Sequence, residues 1–226
     1  MAEQQLNSPG HPSQWVRRRN AVPTSHLPPI GERIRAERGR RGLTVRGLAG
    51  DAGVSASLIS QIETAKAQPS VSTLYAIATA LGIGVEDLLS EGGDGHPQAG
   101  RDDRADVGGV RRRVGPVVRP GDLEPIELES GVTWELLGQV PGVHTEFLRV
   151  TYPPGASSSS SDRLMRHPGT EYGYLVSGEL VLTLGFEEHV LRPGDAISFE
   201  SRTPHCYRNR SDEPAVGIWF VREDEP

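Results

Sequence analysis

The side chains with most chemistry to offer are His167 and Glu171, four residues apart in RHPGTEYGYLVSGELVLTLG, and His205, which follows Pro204 in LRPGDAISFESRTPHCYRN. Gly178 turns the chain within the first stretch and Pro193-Gly194-Asp195 within the second. Pairing the two stretches across a small barrel would bring the three side chains together. Two imidazoles and one carboxylate at an open cavity suit a divalent metal such as Fe(II). The same histidines serve equally as hydrogen-bonding groups of a pocket for an organic ligand. Tyr172, Tyr174, Tyr207 and Trp219 are candidates for lining such a pocket, with Arg163 or Arg166 for an anionic group. Taken singly, each also fits core packing or surface charge. Cys206 follows His205, but adjacent strand residues point to opposite faces, so a His–Cys nucleophilic pair is not expected. A buried structural thiol is the simpler reading.

A second chemistry, base reading, lies near the N-terminus. In VSASLISQIE, Ile59 and Ile62 recur at helical spacing and face inward with Leu48, Val54 and Leu58. That leaves Ser55, Ala56, Ser57, Ser60 and Gln61 on the outward face. A helix presenting short polar side chains and a glutamine suits the major groove: Gln pairs with adenine, and Ser reaches bases or phosphates. Thr44, Arg46 and Lys66 lie near helix ends, where phosphate contacts arise.

The elements that must position these residues differ along the chain. Five helices are expected over residues 30–90. The first runs from about Ile30 to Arg40 and stops at Gly42. Thr44 caps a second, which ends near Asp51. Gly53 supplies the positive φ of a sharp turn, and Ser55 caps a third to about Glu63. Ser70 or Ser72 begins a fourth, ending near Leu81-Gly82, and a fifth covers Val85 to Leu89. From residue 117 to 226, short β-type runs alternate with Gly/Pro turns, as in an all-β sandwich or barrel. Residues 1–29, polar and proline-rich, read as a disordered tail. Residues 91–116, rich in Gly, Asp and Arg, read as a flexible linker.

Composition agrees with two compact domains joined by loose segments: 35% hydrophobic residues, 27 Gly and 18 Pro in 226 residues. The net charge of −6 carries no basic signature, but residues 30–66 hold seven Arg/Lys against four Asp/Glu, and Arg17, Arg18 and Arg19 precede them. This asymmetry puts a nucleic-acid partner on the N-terminal side. The single cysteine forbids an intramolecular disulfide and fits a reducing cytoplasm. No apolar stretch approaches the ~18 residues of a membrane span, and no signal-peptide core is seen, so neither a membrane partner nor export is expected.

The stretch LTVRGLAGDAGVSASLISQIETAKAQPSVSTLYAIATALGIGVEDLL resembles the lambda-repressor-like (Xre-type) helix-turn-helix family over residues 30–89. The resemblance implies that Ser55, Ser57, Ser60 and Gln61 occupy DNA-reading positions and that Glu63 is structural. Thr64-Ala65 departs from it, standing where the family often has a glycine-containing turn. The β region resembles the cupin superfamily over residues 117–221. His167 and Glu171 match the second histidine and the glutamate of its first motif, and His205 matches the histidine of its second. Met165 stands at the remaining ligand position, and a thioether is a soft, weak ligand for Fe(II), Mn(II) or Zn(II).

Together the resemblances imply a sequence-specific DNA-binding regulator whose cupin domain binds a small-molecule effector and dimerises. Two heads ~34–36 Å apart then call for a near-palindromic double-stranded operator. They leave open whether the barrel holds a divalent metal (Fe, Mn, Zn or Ni) or has lost it and kept the cavity. The alternative is a mononuclear non-haem iron cupin oxygenase. Hydroxypropylphosphonate epoxidase joins a similar helical domain to a cupin with a His-xxx-Glu pair and a distant His, a pattern His167, Glu171 and His205 match. Against it, no set of basic residues is evidently placed for a phosphonate.

Overall fold

The computed structural model describes residues 29–89, 117–120, 123, 125–138, 145–160 and 163–222. The expected tail (1–29, but for Pro29) and the expected linker (91–116) lie outside the described residues. What is described is an all-α five-helix domain followed by an all-β barrel.

The helices are α1 (Ile30–Arg40), α2 (Val45–Asp51), α3 (Ala56–Glu63), α4 (Val71–Leu81) and α5 (Val85–Leu89). Three of their N-termini are capped by hydroxyls: Thr44 accepts from the Gly47 N–H, Ser55 from Leu58 and Ser70 from Thr73. Each satisfies a backbone donor that the helix cannot, worth about 1 kcal/mol. Gly82 closes α4 in the left-handed conformation. Ile34, Leu48, Ile59, Ile62, Leu74, Ile77 and Leu81 form the core. Gly31 lets α1 approach α3, since a Cβ there would fall 1.9 Å from the Ile62 carbonyl oxygen.

The barrel is built from β1 (Ile126–Glu127), β2 (Thr133–Gly138), β3 (Thr145–Tyr152), β4 (Thr170–Ser177), β5 (Leu180–Leu184), β6 (Glu187–Leu191), β7 (Ala196–Glu200), β8 (His205–Arg208) and β9 (Ala215–Arg222). One antiparallel sheet runs β1-β2-β3-β9-β4-β7 and the other β6-β5-β8. An isolated bridge from Met165 to His205 ties the chain ahead of β4 to the smaller sheet. Strand alternation sorts the side chains. On β4, Glu171, Gly173 and Leu175 are buried. On β9, Ala215, Gly217, Trp219 and Val221 are buried. Gly217 and Gly173 clear room for the Trp219 indole, which a Cβ at either would meet at 2.1 and 3.0 Å.

The same alternation corrects one expectation. With Glu171 inward, Tyr172 and Tyr174 must point outward, and each is 49% exposed on the outer face of β4. They do not line the barrel interior.

The two domains touch directly. The Ser72 N–H at the start of α4 donates to the Ser158 carbonyl, and the Glu129 N–H donates to the Pro69 carbonyl, both at 2.9 Å. Tyr75, one turn further along α4, reaches into the mouth of the barrel.

Candidate functional site

On the helical domain, α3 exposes Ser55, Ser57, Ser60 and Gln61, with Ala56 half-buried beside them. Ile59 and Ile62 lock the opposite face into the core. The Ser55 hydroxyl oxygen is engaged as the helix cap at 3.1 Å, as is that of Thr44 at the start of α2 at 3.0 Å, so each keeps its O–H and one lone pair for an outside partner. Gln61 leans toward Ser57, at 3.4 Å. Arg46 and Lys66 are exposed at the flanks of this surface.

Behind α3, Lys66 N–H donates to the Gln61 carbonyl and Ala65 N–H to the Ile62 carbonyl, closing the helix in a Schellman turn. Ala65 therefore adopts φ +55°, the left-handed region where glycine is favoured. The turn that the sequence departs from is thus built here with alanine. Glu63 faces away from the surface, in a forked ion pair with Arg38.

In the barrel, His167, Glu171 and His205 are all buried, and one ligand atom from each lies within 4.8 Å of the others. His167 Nε2 and His205 Nε2 both stand 2.9 Å from a single atom, Oε1 of Glu171. Their Nδ1 atoms face backbone carbonyls, Pro168 at 3.1 Å and Thr203 at 2.8 Å. A carbonyl only accepts, so each Nδ1 carries the hydrogen in the neutral ring and each Nε2 turns a lone pair to the centre. The approach of His205 Nε2 to Glu171 also lies off the hydrogen-bond direction, leaving that buried nitrogen without an aligned partner.

Burial pushes the Glu171 carboxyl up, but with the two rings protonated the hydrogen bond from His167, the close approach of His205 and then the charge of both outweigh it and bring it to about 2. Glu171 Oε2 accepts from the Tyr207 hydroxyl at 2.8 Å, and Tyr207 in turn accepts from Trp219 Nε1 at 3.1 Å. Burial and the Glu171 charge push the Tyr207 phenol well above its usual range, so it stays a donor.

Three lone-pair-bearing atoms aimed at one point require a cation between them, either protons or a metal. Metal–nitrogen and metal–oxygen bonds of ~2.0–2.2 Å put neighbouring ligand atoms about 3 Å apart, and a charge-assisted N–H···O bond spans ~2.7–2.9 Å, so the 2.9 Å spacings accommodate either cation. The carbonyls on Nδ1 supply the outer hydrogen bonds that metal-bound histidines need. Met165 is buried, pairs its backbone with His205 and lines the adjoining cavity.

That cavity also involves Tyr207 and Trp219, as the sequence suggests, whereas Arg163 and Arg166 are exposed and do not line it. Cys206 is buried, with its sulfur near the Ser157 and Ser158 hydroxyls. Sequence reasoning missed Tyr75, Trp134 and Glu146. Tyr75 sits at core spacing in α4 and gives no hint of reaching another domain. Glu146 had a signal: it shares strand parity with Leu148, Val150 and Tyr152, so it is an acid on an apolar face.

The helix-turn-helix domain family matches residues 29–91, and the cupin domain family matches residues 148–221. The HTH-type transcriptional regulator PuuR of Escherichia coli is 29% identical over 183 residues, covering 80% of this chain and 88% of its own. The HTH-type transcriptional regulator SutR of the same organism is 25% identical over 176 residues, covering 78% and 84%. An HTH_3 family transcriptional regulator from Vibrio cholerae superposes with a TM-score of 0.58 at 20% identity, covering 87% of this chain and 96% of that one, and shares the fold. With both domain families matched in this order, the chain carries a helix-turn-helix domain followed by a cupin domain and is similar over most of its length to HTH-type transcriptional regulators.

Proposed function

We propose that this regulator binds a specific double-stranded operator through α3, senses a small-molecule effector through its cupin barrel, and works as a homodimer. The observation that carries the reading is the outward Ser57–Ser60–Gln61 face, held by a capped helix whose other side is core. Ser55, Ala56, Thr44, Arg46 and Lys66 flank it as positioning and phosphate contacts. Dimerisation is supported by the outer face of the six-stranded sheet, where Phe147, Tyr172, Tyr174 and Phe220 are 38–49% exposed side by side. Two-fold pairing there asks for a near-palindromic operator. No helix among the described residues is long and apolar enough to cross a membrane, and operator binding puts the protein in the compartment of the DNA, the cytoplasm.

His167, Glu171 and His205 fit a divalent cation (Fe, Mn, Zn or Ni), with Met165 at the edge of the site. A bound ion would cancel the crowding of lone pairs and offer open positions to an effector's donor atom. Tyr207 and Trp219 orient Glu171 from behind and complete the pocket wall.

The triad equally favours a second reading, a non-haem iron oxygenase. The cavity next to it is about 20 Å³, room for about one water, so a substrate, like an effector, enters only if a side chain that lines it moves aside. Selection of bound fragments from sheared genomic DNA by the full chain decides between the two. Recovery of one palindromic sequence at nanomolar affinity and physiological salt supports the regulator. Binding without sequence preference, together with metal-dependent oxygen consumption, would replace it by the enzyme.

A further inference from the structure

Tyr75 belongs to the helical domain but is buried in the barrel, at 5% exposed. Its ring lies flat on the His167 imidazole, with centroids 3.8 Å apart and planes 6° from parallel. Trp134 meets it edge-on at 6.0 Å. Its hydroxyl donates to Oε2 of Glu146, a fully buried carboxylate on β3, at 2.7 Å. Val71 and Tyr75 of α4 close the cavity, whose other walls include Trp134, Leu148, Val150 and Glu171. The only polar anchors of α4 to the barrel besides Tyr75 that the described residues display are the backbone bonds at Ser72 and Pro69.

A flat ring stacked on a metal-site histidine, with its donor on a buried carboxylate, is how a pocket holds a ligand. Here the chain supplies that ligand itself. We propose that the volume filled by the Tyr75 phenol is the effector site, that it takes a small phenol-like molecule, and that occupancy and docking of the helical domain exclude each other. The proposal rests on the reading of the barrel as an effector domain and says what fills it.

The chemistry narrows the class. An aliphatic ligand would forfeit the stack on His167 and the edge of Trp134. A ring without a donor would leave Glu146 without the bond that Tyr75 gives it, and a buried carboxylate tolerates that poorly. An anionic group in place of the Tyr75 hydroxyl would face the buried Glu146 carboxylate at hydrogen-bond distance. A neutral ring carrying a hydroxyl satisfies all three constraints. Because Tyr75 is tethered, it competes at an effective concentration of order millimolar, and a free ligand must outbid it. Once it does, α4 loses its anchor inside the barrel, the rim bonds and the contact of α5 with β3 remain, and the orientation of the DNA-reading helix to the barrel is held more loosely.

The test uses para-cresol, the Tyr75 side chain as a free molecule, titrated into the full chain and followed by fluorescence of the cavity residues Trp134 and Trp219 and by calorimetry. Tyr75→Ala, which empties the site, should bind para-cresol about tenfold or more tighter than the parent, and toluene about tenfold or more weaker than para-cresol. Tyr75→Phe keeps the ring and its packing, so it guards against a folding defect. It loses only the Glu146 bond and should fall between the other two. In the parent, saturating para-cresol should expand the particle in small-angle scattering to the dimensions of Tyr75→Ala. Equal affinities in parent, Tyr75→Phe and Tyr75→Ala, or no uptake by a folded Tyr75→Ala, would overturn the proposal. Operator binding measured on the same samples keeps the outcomes apart: intact sequence preference with no para-cresol uptake sinks this inference and leaves the regulator standing.

Discussion

Arg38 and Glu63 face each other across the crossing of α1 and α3 in a fork, Nε to Oε1 at 2.6 Å and Nη2 to Oε2 at 2.8 Å. Arg38 also donates Nη1 to the Leu43 carbonyl at 2.8 Å, so one side chain holds two helices and the turn between α1 and α2. The hydrogen bond to Glu63 outweighs burial and raises the guanidinium above its already high value. The carboxylate beside the recognition surface is therefore a strut.

Breaking the fork should cost the helical domain stability without touching base preference. Glu63→Ala and Arg38→Ala should each destabilise it by about 2 kcal/mol, toward the lower end for a buried pair because Arg38 is partly solvated. The double variant should lose little more than either single one. Urea titrations followed by helical circular dichroism give all three values. Additive losses would show that the two residues do not act as a pair.

Ala65 predicts the opposite sign. Its left-handed φ costs an L-residue about 1–2 kcal/mol, of which glycine's greater freedom in the unfolded chain returns a part. Ala65→Gly should raise stability by about 0.5–1 kcal/mol. An unchanged or lowered urea midpoint would argue against a left-handed turn here.

Gln61→Ala should relax base preference at one operator position and cost about 1–3 kcal/mol of specific binding. Lys66→Ala should weaken all DNA binding and flatten the slope of log K against log salt by about one. Anisotropy titrations over a salt series read both effects. If both variants match the parent, α3 does not lie in the groove in the register proposed.

Metal analysis after dialysis against Fe(II), Mn(II), Zn(II) or Ni(II) should find about one ion per chain, and His205→Ala should remove it. Retention should weaken as pH falls, because the imidazoles must be neutral to bind. Glu171 does not set that pH: its carboxyl, lowered to about 2, stays ionised through the acid range in which histidines protonate. In the metal-free chain a depressed carboxyl stabilises the fold above its unfolded value of 4.5, and this is lost as pH falls toward 2. An ion content that His205→Ala leaves unchanged would rule out the triad as its ligand.

Local rules carried most of the reading. Serine and threonine caps fall where hydroxyls begin apolar periodic runs, which makes α2, α3 and α4 visible in the chain, and Ser70 rather than Ser72 proves to cap α4. The triad was visible because its members lie in two short motifs. Tyr172 and Tyr174 fall outside the barrel interior because the strand period that turns Glu171 inward turns both of them outward. Tyr75 could not be found, because no local pattern distinguishes an aromatic packed in its own domain from one packed in the next.

One rung of the larger sheet joins two of these features. Val221 on β9 pairs with Glu146 on β3 at one side and with Glu171 on β4 at the other. The anchor of Tyr75 and the carboxylate of the histidine centre are thus inward residues two strands apart, about 10 Å at the usual spacing. A slip of β9 by a single residue would displace both partnerships at once. The two sites are mechanically one unit, and a hybrid barrel that takes β9 from a relative inherits or forfeits them together.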